Sequence, residues 1–250
     1  MADLCGQSAE RARLFDAVHR VRRDLQARVL PRIPAVPPFE VAARYRPAAP
    51  SVGMGGDWYD GIALGPGRLC LVLGDVTGHG VEAIAEMTQV RTVVHTLAAG
   101  GMALPDILAR TSSAMQREGG GYATLVVAVI DAGANSVSYV TAGHPPPLVR
   151  RPDGTIDVLA DGHHSVLGVN LAPRPAGRAP FPSGSVLVAY TDGLIERRGT
   201  TIDASVERLA AQLAFAPETG ADALADRLLH VNRSTVQADD LALVVALRPR

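Results

Sequence analysis

Apolar residues recur at two periods along the chain, and the changes of period divide it into elements. Between residues 8 and 30, Leu14, Val18, Val21, Leu25 and Val29 stand three or four apart, the spacing of one stripe on an amphipathic helix. Pro31, Pro34, Pro37 and Pro38 then end it. The period falls to two where Phe39, Val41, Ala43 and Tyr45 alternate with Glu40, Arg44 and Arg46, which predicts a half-buried strand. A second strand is predicted around Asp57. A third, over residues 68–76, is apolar on both faces and so is expected at the centre of a covered sheet. Gly78-His79-Gly80 opens a helix whose stripe of Ala83, Met87, Val90, Val94 and Leu97 fits a 3.6 period, and Gly100-Gly101 stops it. Another helix is predicted over 105–117.

Short apolar runs at 122–131, 137–141, 148–150 and 155–159 read as an antiparallel meander, the last two joined by the turn pair Asp153-Gly154. Residues 171–182 carry four prolines and read as a loop or flap. A buried strand over 186–191 delivers Asp192. Helices at 202–213 and 221–232 precede a terminal strand at 241–247. Strands, then helices, then strands, without βαβ alternation, predict an α+β layered sandwich. No internal repeat is present.

Composition narrows this picture. With 250 residues, 47% hydrophobic and 20% charged, the chain can bury the core of one large domain or at most two small ones. No apolar run approaches the roughly 18 residues that span a bilayer, and the N-terminus, with Arg11 and Arg13, lacks the apolar core of a signal peptide. No membrane segment and a cytoplasmic location are expected. Of the two cysteines, Cys70 sits in the run Leu69-Cys70-Leu71-Val72-Leu73, so a reduced thiol in the core and no disulfide with Cys5 are expected. A net charge of -1 excludes a nucleic-acid-binding surface spread over the whole domain. The local exception is residues 11–32, with seven arginines against Asp16 and Asp24. That helix packs on its own domain, or it forms a homodimer or partner contact; the sequence leaves both open.

The chemistry is carried by five carboxylates in Gly-flanked motifs far apart in the chain. They are Asp57 in Gly55-Gly56-Asp57-Trp58-Tyr59-Asp60, Asp75 in Gly74-Asp75-Val76-Thr77-Gly78-His79-Gly80, Asp192 in Thr191-Asp192-Gly193, and the pair Asp239-Asp240. One Asp-Gly pair is an ordinary turn. Three aspartates at strand ends, plus a pair entering the last strand, gather like charge that repels unless a cation lies between them. Hard divalent cations such as Mg²⁺ and Mn²⁺ take oxygen ligands of this kind.

These motifs, together with Leu30-Pro31-Arg32, Ala43-Arg44-Tyr45-Arg46-Pro47-Ala48, Ala142-Gly143-His144-Pro145-Pro146-Pro147 and Tyr190-Thr191-Asp192-Gly193-Leu194-Ile195-Glu196, occur in the order seen in SpoIIE/RsbU-type metal-dependent serine/threonine phosphatases. The chain resembles that PP2C-like family from about residue 25 to 248. The resemblance implies an αββα sandwich of two antiparallel sheets flanked by helices, with residues 1–30 as a linker helix and 31–250 as the phosphatase domain. It implies two Mn²⁺ or Mg²⁺ ions bridged by Asp75. Asp57 and the Val76 carbonyl would complete one ion's site, Asp192 and Asp239 the other, and Asp240 would orient its neighbour. Water activated by the ions would attack the phosphorus in line, without a protein nucleophile. The amides of Gly78, His79 and Gly80, opening a helix, are candidates for holding phosphate.

The implied substrate is a phosphorylated anti-sigma-factor antagonist of STAS-like type, in bacterial partner-switching control. An upstream sensor or activator is implied too, acting in trans if residues 1–30 are all that precede the domain. Two readings compete: a weak or inactive phosphatase-fold binding module, and a phosphoesterase for a small-molecule phosphate. The family commonly carries Thr or Ser soon after the final Asp pair, where this chain has Leu241-Ala242, so activity below the family norm is expected. His79 and His144 are discounted as general acids; for His144, ahead of three prolines, a structural hydrogen bond is expected. His163-His164 is expected in an exposed loop, and Trp58 and Tyr59 in the packing.

Overall fold

Residues 40–46, alternating in the sequence, form an edge strand in the computed structural model, which describes residues 31–47, 55–78, 80–197, 199–217, 220–232 and 239–250. The predicted helix over 8–30, and with it the dimer expectation, lies outside the described residues, as do Cys5 and His79. The elements are β1 (Glu40–Arg46), β2 (Trp58–Gly65), β3 (Arg68–Val76), α1 (Val81–Ala99), α2 (Leu104–Glu118), β4 (Ala123–Asp131), β5 (Ser136–Ala142), β6 (Leu148–Arg150) and β7 (Ile156–Val158). They continue with β8 (His163–His164), β9 (Gly177–Pro180), β10 (Val186–Tyr190), a short 3-10 helix (Asp192–Leu194), α3 (Ile202–Ala214), α4 (Ala221–Val231) and β11 (Leu241–Leu247).

Two sheets result. Sheet 1 runs β1-β11-β10-β6-β7, and sheet 2 runs β2-β3-β4-β5-β8 with β9 also on β5. Helices α1 and α2 lie against sheet 2, and α3 and α4 against sheet 1, which gives the expected αββα order. Alternation along each strand sorts its side chains between two cores. Leu69, Leu71 and Leu73 of β3, Val126, Ala128 and Ile130 of β4, Leu187 and Ala189 of β10, and Ala242, Val244 and Ala246 of β11 meet between the sheets. Val186, Val188, Leu243 and Val245 point the other way, into α3 and α4. Strand β11 reads Leu-Ala-Leu-Val-Val-Ala-Leu because both of its faces are covered. Each fully buried leucine or valine here stabilises the fold by about 1.5–3 kcal/mol.

Local signals set the helix ends. Pro105 opens α2, Gly119 closes it at φ 66°, and the Thr201 hydroxyl accepts from Ala204 N at 3.3 Å to cap α3. The stripe of α1 is realised as Ala83, Met87, Val90 and Val94, with Ala98 rather than Leu97 as its last buried member. Cys70 is buried and reduced, and Trp58 is fully enclosed. Among the described residues no helix is long and apolar enough to cross a membrane.

Three expectations need correction. The meander is split: β4 and β5 pair in sheet 2, whereas β6 and β7 form their hairpin in sheet 1. The chain changes sheet at Gly143, whose φ of 60° turns it, and the three following prolines hold the crossing. The proline-rich stretch 171–182 contains β9, an edge strand on β5 with Pro180 at its end, where a missing N–H costs nothing. His163-His164 is not an exposed loop. It pairs parallel with Thr141 and Ala142 as β8, with His163 outward and His164 buried.

Candidate active site

The parity that fills the inter-sheet core also decides what caps it. Asp75 lies two residues beyond Leu73 on β3, Thr124 two before Val126 on β4, Thr191 two beyond Ala189, Asp240 two before Ala242, and Tyr45 two beyond Ala43. Asp57 lies two before Tyr59, and the pairing of Trp58 with Gly74 brings it opposite Asp75. One end of the sandwich therefore carries a polar layer contributed by both sheets, directly above the last apolar layer.

Its geometry depends on missing side chains. A Cβ on Gly56 would stand 2.2 Å from the Val76 carbonyl oxygen, and one on Gly55 would meet the Asp240 carboxylate at 2.0 Å. A Cβ on Gly193 would meet the Asp240 backbone oxygen at 1.9 Å. The glycines flanking the aspartates are thus needed for close approach, with no special φ required.

Hydrogen bonds fix the carboxylates individually. The Thr191 hydroxyl donates to Asp57 Oδ2 at 2.7 Å and accepts from Ala242 N at 2.8 Å, which ties β10 and β11 of sheet 1 to the head of β2 in sheet 2. The Tyr45 hydroxyl donates to Asp240 Oδ2. Asp240 N donates to Asp239 Oδ1 at 2.8 Å, with Asp240 buried and Asp239 exposed. Asp192 begins the 3-10 helix directly after β10.

Electrostatically the layer is frustrated. Burial, then Asp75, then Asp192 and Asp240 push the Asp57 carboxyl well above its ordinary range, against the pull of the Thr191 hydroxyl. Burial, then Asp192 and Asp239, raise Asp75 to about 7, and a hydrogen bond with Asp57 only partly offsets this. Asp192 is raised by burial and then by Asp239. The Tyr45 phenol is pushed up by burial and by Asp240, so it stays a donor. What Asp57, Asp75 and Asp192 feel most is burial and neighbouring carboxylates.

The donor set fits hard divalent ions: carboxylate oxygens converging from four strand ends, a backbone carbonyl at Val76 pressed against a glycine, and excess negative charge. Among the described residues no three His, Cys, Asp or Glu side chains already stand as a finished cage. The sequence candidates Asp57, Asp75, Asp192, Asp239 and Asp240 are brought to one end of the sandwich. Gly78 and Gly80, with φ of 107° and 91°, lead from Asp75 into α1, whose N-terminus has no side-chain cap.

Tyr45 and Thr191, like Thr124, carried no role in the sequence reading. Tyr45 looked like an ordinary apolar strand position, and Thr191 the last residue of a buried strand. The signal for both was parity, since each continues the inward face one step beyond the apolar run.

The model of the family described as stage II sporulation protein E (SpoIIE) matches residues 65–249. The chain belongs to the SpoIIE family. It is similar to the RsbU and RsbW domains of Rv1364c from Mycobacterium tuberculosis, at 36% identity and a TM-score of 0.77 over 87% of this chain and 62% of that one. The PP2C phosphatase domain of SpoIIE from Bacillus subtilis, with a fragment of its regulatory domain, matches at 19% identity and a TM-score of 0.69, over 84% and 62% of the two chains. Protein IcfG from Synechocystis is 24% identical across 93% of this chain, which spans only 42% of that protein. The fold is therefore that of the PP2C phosphatase domain, and this SpoIIE-family chain covers less than two thirds of each of these relatives.

Proposed function

We propose that this SpoIIE-family chain is a metal-dependent phosphoserine/phosphothreonine protein phosphatase. The observation that carries the reading is the carboxylate layer, assembled from both sheets and lying within a chain of this family. Two divalent ions, Mn²⁺ or Mg²⁺, would be held by Asp75 between them, with Asp57 and the Val76 carbonyl on one side and Asp192 and Asp239 on the other. When bound, such ions lower the pKa of water and neutralise charge on the phosphoryl oxygens. A magnesium complex of RsbX, whose structure matches at 17% identity and a TM-score of 0.66, is in keeping with this choice of ion.

The protein's own groups do the positioning. Thr191 holds Asp57, and Tyr45 holds Asp240, which in turn holds Asp239 through its backbone N–H. The uncapped N-terminus of α1, reached through Gly78, His79 and Gly80, offers amides to a phosphate dianion. The buried imidazole of His144, on the crossing between β5 and β6, is pushed down to about 3 by burial, so it is neutral and supplies no proton to the leaving group.

The substrate we infer is a phosphorylated, STAS-like anti-sigma-factor antagonist, because the 36% identical relative joins RsbU to RsbW in one chain. The test is Mn²⁺-dependent phosphate release from such a phosphoserine protein, beside nucleotide and sugar phosphates, with EDTA and Asp75→Asn controls. Release from the phosphoprotein, lost in both controls, is expected. Release only from small phosphates overturns the protein-phosphatase reading. No release from folded protein in excess Mn²⁺ favours a binding module.

A further inference from the structure

His144 connects the two sheets directly behind the carboxylate layer. Thr124 is the cross-strand partner of Asp75 and shares its face of sheet 2. The Thr124 hydroxyl stands 2.8 Å from Nδ1 of His144, and Nε2 of the same ring stands 3.1 Å from the backbone carbonyl of Tyr190 on β10 of sheet 1. Tyr190 precedes Thr191, which holds Asp57.

The tautomer follows from the partners. His144 is 2% exposed and held neutral by burial, so its ring carries one N–H. A carbonyl can only accept, which places that N–H on Nε2 and leaves Nδ1 to accept from the Thr124 hydroxyl. The Tyr190 hydroxyl also donates to the Pro146 carbonyl at 3.0 Å, so β10 grips the Gly143–Pro147 crossing through both its backbone and its side chain. The run from Asp75 past Thr124, His144, Tyr190 and Thr191 to Asp57 crosses from one sheet to the other. The inter-sheet contacts beneath the layer are mostly apolar and fix no hydrogen-bond length.

We propose that Thr124 and His144 are positioning residues that set the spacing of Asp75 against Asp57 and Asp192, and through it the affinity of the site for divalent ions. They act through these aspartates and touch neither ion nor substrate. The proposal rests on the reading of the carboxylate layer as the metal site.

The test titrates folded protein with Mn²⁺ alone by calorimetry and records Tm in EDTA, for the wild type, Thr124→Val and Thr124→Ser. Thr124→Val keeps the side-chain shape and removes the donor. It is expected to weaken Mn²⁺ binding about 10-fold, the low end of the range for losing a partner bonded directly to a ligand, because Thr124 bonds His144 and not Asp75, with Thr124→Ser within about threefold of the wild type. Should Thr124→Val not fold, Thr124→Ala is titrated with the same expectation. A Thr124→Val protein with lowered Tm and wild-type Mn²⁺ affinity overturns the proposal and leaves a purely structural bond. A wild type that binds no Mn²⁺ at millimolar concentration overturns the metal-site reading and this proposal together.

Discussion

Asp57 and Asp60 stand three residues apart at the head of β2, both almost wholly buried, and they solve the problem of burying charge in opposite ways. Asp60 faces outward from sheet 2 toward α1. There its Oδ2 lies 2.8 Å from His95 Nδ1 and 3.3 Å from Arg91 Nε, and its Oδ1 accepts from Gly61 N at 2.8 Å. Asp57 faces inward, where its neighbours are a threonine hydroxyl and further carboxylates. A buried carboxylate needs compensation. Asp60 receives it from Arg91 and His95, whereas Asp57, beside Asp75, has a threonine hydroxyl and like charge for neighbours, a setting that a divalent ion would relieve. One face of the strand pairs its buried charge within the fold, and the other is the face of the proposed metal site.

The sharpest way to break this contrast is to remove one charge from each face. Asp75→Asn is expected to reduce Mn²⁺ affinity by more than the roughly 100-fold that loss of an outer partner costs. The same change should raise Tm in EDTA, because one of the mutually repelling charges is gone; calorimetry and thermal melts measure the two effects separately. A variant that loses both affinity and metal-free stability would mean that Asp75 is a structural residue like Asp60.

Next comes the response to pH. The folded-state pKa of Asp75 is about 7, above its unfolded value near 4, and those of Asp57 and Asp192 are raised in the same direction. The folded protein then holds more protons than the unfolded chain, so metal-free stability falls as pH rises from about 4 toward 7. Saturating Mn²⁺ should remove most of that slope. Thermal melts in EDTA across this range check the sign, and a metal-free Tm that rises steadily from pH 5 to 7 would contradict it.

Asp60→Asn is expected to cost about 2 kcal/mol in urea melts, less than the 3–5 kcal/mol for breaking a wholly buried pair because Arg91 and His95 keep part of their surface in water. Its Mn²⁺ affinity should stay that of the wild type.

Much of the fold was legible locally. The half-buried alternation of β1, the doubly apolar β3 and β11, the glycine stops and the 3.6-period stripe of α1 each announced an element within a few residues of its bounds. The failures share a cause. β8 and β9 are too short, and too poor in apolar residues, to show a period; they exist because β5 leaves an edge to pair with. The meander was misread because strand identity is local whereas sheet membership is not.

The aspartates were visible in the sequence as a set, through their glycine neighbours and their order along the chain. Residue types, spacing and alternation determined by themselves that this is an α+β sandwich with excess carboxylate at its strand ends, because backbone period and glycine sterics act over a few residues. Only the tertiary structure decided that Asp57 faces carboxylates while Asp60 faces Arg91, that Tyr45 and Thr191 belong to the layer, and that His144 joins the sheets behind it. Those facts depend on cross-strand register and on the packing of one sheet against the other, which come from contacts between residues up to 195 positions apart.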